Sequence, residues 1–362
     1  MEYNDNEKFI IWLDSLGLPR KKCGEILKLS KNLIDIYNNY SKYNEQIKTI
    51  LTDKYYNKFI DRLGTMTECV EELNRKHIKA VTCLSDSYPE KLLEISPSVL
   101  VLYAVGDVGL LKSDKIVAIV GTRKPSRYGK EMAEYFSVGL AENGIVTISG
   151  LAYGVDTLVA RKTLDAKGKT IAVLGGGLDE IYPLSNTTLA KEIVRSGGLI
   201  VSEYRIGVRP TQYSFPERNR IISGISDGVL VVEAGKNSGS LITANHALEQ
   251  NKSLFVVPAN INSKQSEGSN LLIKELPHSA VFDLKTVLAE FGVEFVEEKN
   301  NSQEELTEDE KLIYNLILGN EICFDDLVEA TKFDPTRLNI LLTQMEIEGK
   351  LKKLPSNYYT ID

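Results

Sequence analysis

The chain has 362 residues, 43% hydrophobic and 26% charged, with a formal net charge of −7. That length accommodates two or three domains and a large core, and the acidity excludes a wholly basic nucleic-acid coat while leaving room for a local basic groove. No apolar run approaches the ~18 residues of a membrane span, and Cys23, Cys69, Cys83 and Cys323 show no metal-ligand spacing. The expectation is a cytoplasmic protein with reduced thiols, no membrane segment, no metal and no cofactor.

Residues 1–110 read as mostly helical. Phe9, Ile10, Leu13 and Leu16 have helical spacing, and Gly17-Leu18-Pro19 then breaks the helix before a second one over about 21–29. Helix, Gly-containing turn, helix suits either a helical packing domain or a helix-hairpin-helix-like module that contacts DNA.

The pattern changes at about 111. Ile116–Val120, Ile145–Ile148, Thr170–Leu174, Leu199–Ser202, Val229–Glu233 and Leu254–Val257 are short apolar runs rich in Val and Ile. Between them, 129–143, 155–167, 186–197, 217–224 and 239–251 are long enough for helices. Continuous apolar strands alternating with helices predict a parallel sheet covered on both faces, an α/β, Rossmann-like core over 111–295. In such sheets the ligand crevice lies beyond the carboxyl ends of the strands. The acidic, polar stretch 296–310 reads as a linker. In 311–362, helices over about 307–318, 324–331 and 335–348 precede an alternating hairpin, the winged-helix pattern. Its third helix presents Asn339, Thr343, Gln344 and Glu346, which leaves DNA reading and protein contact both open.

Arginine is used sparingly, 12 against 31 lysines, yet Arg123, Arg127, Arg205, Arg209, Arg218 and Arg220 fall within 121–130 and 203–220. A planar guanidinium fits phosphate in a way an ammonium does not. Gly121, Thr122, Arg123, Lys124 and Arg127 follow the first strand and open a helix, where backbone N–H groups and the helix dipole favour an anion. The spacing is neither a dinucleotide fingerprint nor a P-loop. Ser149, Gly150 and Gly154 form a second strand-to-helix turn, with Asp156 as a cap or an arginine partner. Phe215 beside Arg218, Asn219 and Arg220 pairs a ring with two guanidinium groups, as a single-stranded nucleic acid requires. Tyr128 and Tyr213 are further stacking candidates. Gly239 and Ser240 start another anion-ready helix. Glu203 and Glu233, at strand ends, are read as orienting the arginines. No nucleophile elbow or Cys/His pair is present, so the chain reads as a binding protein and not an enzyme.

Several segments together are similar to the DNA-processing protein A family, also called Smf. They are Ala118-Ile119-Val120-Gly121-Thr122-Arg123, Ser149-Gly150-Leu151-Ala152, Ala172-Val173-Leu174-Gly175, Tyr182-Pro183, Phe215-Pro216-Glu217-Arg218-Asn219-Arg220-Ile221-Ile222 and Ser238-Gly239-Ser240-Leu241-Ile242-Thr243-Ala244. Asp86-Ser87-Tyr88-Pro89 and Leu102-Tyr103 fit upstream, and the terminal winged-helix-like region fits the family's variable third domain. The chain departs from the family pattern at Ala160 (usually His), Ala259 (usually Gly) and Gly268-Ser269-Asn270 (usually Gly-Thr-Asn). The resemblance implies an N-terminal domain of SAM or helix-hairpin-helix type and an extended Rossmann-like core that binds single-stranded DNA. It also implies a homodimer and loading of the RecA recombinase in natural transformation and recombination. By position it assigns Arg123, Lys124, Gly150, Phe215, Arg218, Asn219, Arg220 and Ser240 to the DNA groove, and 254–276 to the neighbourhood of the dimer or recombinase contact. The rival reading is a Rossmann-like nucleotide hydrolase of the phosphoribohydrolase kind. Residues 234–242 lack that group's Pro-Gly-Gly-x-Gly-Thr-x-x-Glu stretch and its carboxylate.

Overall fold

The computed structural model describes residues 2–294 and 306–361. Two compact units, Met1–Phe295 and Val296–Asp362, divide the chain. The expected linker lies outside the described residues as far as 305, and its last residues already start a helix, with Thr307 and Glu310 in a reciprocal capping box.

In the first unit six helices come first: α1 (Asp5–Ser15), α2 (Arg20–Leu27), α3 (Leu33–Asn38), α4 (Tyr40–Ile50), α5 (Asp53–Asp61) and α6 (Met66–Arg75). Asn4 and Glu7 cap α1 reciprocally, and Gly17, at φ +60°, makes the left-handed turn into α2. The predicted stripe Phe9, Ile10, Leu13 and Leu16 is buried, together with Trp12 and Phe59. The helical reading extends too far, however. Strands β1 (Lys79–Thr82) and β2 (Val101–Gly106) follow and join the main sheet. They escape the α/β pattern because β1 pairs antiparallel with β2, and β2 antiparallel with the sheet, so no helical crossover flanks them.

Strands β3 (Ile116–Val120), β4 (Val146–Ser149), β5 (Thr170–Val173), β6 (Leu199–Ser202), β7 (Gly228–Val231) and β8 (Ser253–Val256) pair parallel. The sheet order is β1-β2-β6-β5-β4-β3-β7-β8. The crossovers are α7 (Arg127–Glu142), α8 (Val155–Asp165), α9 (Thr187–Arg195), α10 (Ser214–Ile225) and α11 (Gly239–Glu249). Helices α12 (Glu267–Glu275) and α13 (Leu284–Glu290) complete the unit. Alternate residues of β3 pack on opposite faces: Ile116, Ala118 and Val120 on one layer, Val117 and Ile119 on the other. That two-sided burial explains why the strands read as unbroken apolar runs. Ala160 sits in a third apolar layer with Leu151, Leu174 and Ile193.

The second unit contains α14 (Glu308–Ile317), β9 (Ile322–Cys323), α15 (Phe324–Thr331), α16 (Pro335–Ile347), β10 (Lys352–Leu354) and β11 (Tyr358–Thr360). Its strands form a small antiparallel sheet in the order β10-β11-β9, the winged-helix arrangement. Leu338, Leu342 and Met345 of α16 are fully buried against Ile313, Ile317 and Leu327.

Candidate nucleic-acid interface

The chain builds β3, β4, β5 and β6 outward to one side, then crosses back to place β7 and β8 on the other side of β3. The strand order therefore reverses between β3 and β7, which is where an open α/β sheet leaves a crevice at its carboxyl edge. A cleft of about 910 Å³ occupies that position. Its walls come from the turn after β3 (Gly121, Thr122, Arg123), from Ala152 and Asp156 after β4, and from Pro210, Thr211 and Gln212 before α10. Phe215, Arg218 and Asn219 of α10, the turn after β7 (Gly235 to Ser240), and Lys264 and Glu267 complete them. The walls carry four cationic side chains (Arg123, Arg218, Lys236, Lys264) and two acidic ones (Asp156, Glu267), a local excess of positive charge in an acidic chain.

Backbone contacts fix the turn after β3. Thr122 N–H donates to Glu233 O at 2.7 Å, and Thr122 O accepts from Val155 N–H at 3.2 Å. Gly154, at φ +78°, lets the β4 turn press against it, since a Cβ there would lie 2.6 Å from Arg123 O. Arg123 is exposed, and its guanidinium lies over the Phe215 ring, 5.4 Å from the centroid. Tyr182 leans on the same ring, centroids 5.5 Å apart. After β7, the Ser238 hydroxyl accepts from Ser240 N–H and caps α11, whose first turn opens on the cleft.

The structure thus brings together Gly121, Thr122, Arg123, Phe215, Arg218, Asn219, Gly239 and Ser240. Other expected residues stand elsewhere. Lys124 and Arg127 are exposed but outside the cleft walls, and Arg127 Nε donates to Glu131 at 2.8 Å. Ser149 is buried under the β4 turn, and Gly150 lines a small adjoining recess. Tyr128 does not stack in the cleft: its hydroxyl donates to Pro258 O at 2.9 Å.

The two arginines of α10 need the largest correction. Both were expected to fork onto phosphate, and both are buried, at 4% and 3% exposure. The Arg218 guanidinium donates to the carbonyls of Gly150 and Val173, with Asp156 nearby. Burial pushes it down to about 10, partly offset by Asp156, so it stays charged at neutral pH. Asp156 accepts from Gly150 N–H at 3.0 Å and Ala152 N–H at 3.3 Å; burial raises its carboxyl and Arg218 opposes the rise. Arg220 points away from the cleft and pairs with Glu203. Glu203 therefore orients an arginine as expected. Glu233 does not: it accepts from Ser126 N–H, Ser126 Oγ and Ser266 Oγ. The arginine spacing held no sign of this, because an inward and an outward face of one helix look alike in a polar motif.

Lys236 and Lys264, both exposed, were missed as cleft cations. Each lies in a turn after a strand, which is the one signal that pointed to them. Tyr182 entered only as part of a motif, and its contact with Phe215 joins segments 33 residues apart.

Fold and cleft define a class: a doubly wound α/β protein with a cationic, glycine-lined crevice at its switch point, followed by a winged-helix unit. Comparisons with known proteins specify it. The family model for DNA recombination-mediator protein A matches residues 79–292, and the DprA winged helix domain matches residues 297–357. The chain belongs to the DNA recombination-mediator protein A family. It is 36% identical over 282 residues to Protein Smf of Escherichia coli (76% of this chain, 75% of that one). It is 43% identical over 208 residues to the DNA processing protein DprA of Streptococcus pneumoniae (58% and 72%). The X-ray structure of the Streptococcus pneumoniae protein superposes with a TM-score of 0.68 at 35% identity, covering 82% of this chain and all of that one. A structure of DNA processing protein A from Helicobacter pylori, described for its single-stranded DNA binding mode, gives 0.54 at 33% identity over 59% of this chain and 94% of that one.

Proposed function

We propose that the switch-point cleft binds single-stranded DNA, with Arg123, Lys236, Lys264 and the α11 N-terminus on the phosphates and the Phe215–Tyr182 aromatic pair beside a base. The observation that carries the reading is the convergence of three exposed cations, a helix N-terminus and two aromatic side chains on one cleft. Cations alone would suit any polyanion; the rings select a strand whose bases are unpaired. The single-stranded DNA binding named for the Helicobacter pylori relative supports it. Within this reading the protein works in the cytoplasm as a non-enzymatic mediator that protects incoming single strands and helps load the RecA recombinase, and it acts as a homodimer.

Fluorescence anisotropy with a labelled single strand and its duplex, over a salt series, tests this. The expected result is preference for the single strand, with log affinity falling by about 0.7 per decade of salt for each phosphate contacted. Equal or negligible binding of both DNAs overturns it. Release of free base from nucleoside monophosphates would instead favour the hydrolase reading.

A further inference from the structure

The helical segment meets the cleft's back wall through a buried charge cluster. Glu203, at the end of β6, is 5% exposed, and one of its oxygens, Oε2, serves two arginines from different elements. Arg220 comes from α10, the helix that presents Phe215, Arg218 and Asn219 to the cleft. Arg20 is the first residue of α2, and its Nη2 is 2.7 Å from the same oxygen. The Arg20 guanidinium also covers the Tyr204 ring, 5.8 Å from the centroid, while the Tyr204 hydroxyl donates to Glu217 of α10 at 2.9 Å.

A second tie runs beside it. Gly17 leaves a notch that the Arg205 guanidinium fills, since a Cβ at Gly17 would lie 2.6 Å from Arg205 Cζ. Asp14 of α1, half-buried, feels the charges of both that guanidinium and Arg20 and accepts from the Tyr103 hydroxyl at 2.7 Å. Ile206 and Leu178 pack against the apolar core of the helices. The loop 203–213, whose Pro210, Thr211 and Gln212 form a cleft wall, is thereby held by α1 and α2 on one side and by α10 on the other.

We propose that Arg20, acting through Glu203, is a positioning residue for the cleft: the helical segment braces the 203–213 loop and the start of α10 in the conformation that receives DNA, and touches no DNA through this residue. The inference rests on the cleft reading above. It assigns the helical segment a mechanical task in place of DNA contact.

The test compares Arg20→Gln and Arg20→Lys with the wild-type chain. Removing Arg20 leaves Glu203 paired with Arg220, so the fold survives, which circular dichroism checks. In the protein without DNA, amide hydrogen exchange over 203–213 and the first turn of α10 is expected to speed up in Arg20→Gln and to recover in Arg20→Lys. Affinity for a single strand is expected to fall about tenfold in Arg20→Gln, with the salt slope unchanged, because no phosphate contact is lost. A salt slope reduced by about 0.7 would make Arg20 a direct phosphate ligand and overturn the proposal. Unchanged exchange, or unchanged affinity, overturns it as well. A wild-type protein that ignores single strands sinks the cleft reading and the DNA half of this inference, while the exchange measurement still decides the brace.

Discussion

Segments 121–130 and 215–220 look alike as sequence, each a run of arginines at the start of a helix, yet they use those arginines in opposite ways. Arg123 stands exposed at the cleft, its guanidinium over the face of Phe215. Arg218 and Arg220 are buried, Arg218 at the cleft wall with its guanidinium turned onto the carbonyls of Gly150 and Val173, and Arg220 away from the cleft on Glu203. The difference follows from position. The turn after β3 sits over the open edge of the sheet, whereas α10 covers the sheet and turns most of its circumference inward. An arginine on a buried helix face is structural unless a channel reaches it. The lesson is that a motif rich in arginine can be half contact surface and half framework.

This division can be broken by experiment. Arg218→Ala should show the largest effect and show it as instability. It strands the Gly150 and Val173 carbonyls and leaves Asp156 uncompensated, so urea unfolding should report a loss of about 3–5 kcal/mol. A stable Arg218→Ala protein that merely fails to bind DNA would put Arg218 with the contact residues and erase the distinction. Arg123→Ala should do the reverse, leaving the urea midpoint in place and lowering single-strand affinity about thirtyfold, with a salt slope shallower by about 0.7.

Lys236→Gln and Lys264→Gln sharpen the comparison by asking whether exposed cations outside the arginine motifs share the work. Each should cost about threefold in affinity, with the same change in slope, since an ammonium contacts phosphate as a point charge without the fork. Wild-type salt dependence in both would confine the site to the β3 side of the cleft.

The smallest expected effect is on pH dependence. Burial lifts the carboxyls of Asp156 and Glu203 above the usual 3.8 and 4.5, against the pull of their arginines. The folded state then holds these protons more tightly than the unfolded chain. The stability they contribute is complete below the ordinary values and is lost as pH rises through the raised ones. Asp156→Asn should flatten the decline in urea midpoint from about pH 4 upward. A steeper decline would mean that Arg218 outweighs burial.

Much of this was legible in the sequence. Six strands and the crevice at their carboxyl ends follow from apolar runs and glycine turns, because burial on both faces leaves an unmistakable Val/Ile signature. β1 and β2 did not, since an antiparallel edge lacks the helix that would have announced them. Arg123 was legible as a cleft residue because its turn opens on the crevice. The inward course of Arg218 and Arg220 was not, because their partners, Gly150, Val173 and Glu203, are supplied by other strands. Arg20 carried no signal at all: its proposed role depends on a turn of the helical segment meeting a loop 183 residues away.

The central claim is that a single strand lies in the cleft between the β3 and β7 turns. Photo-crosslinking of a bromodeoxyuridine-containing single strand, with mass-spectrometric mapping of the adducts, addresses it directly. The account predicts adducts on Tyr182 or Phe215, lost when unlabelled single strand competes. Adducts confined to the helices over 5–75 or to the winged-helix unit over 308–360 would contradict it.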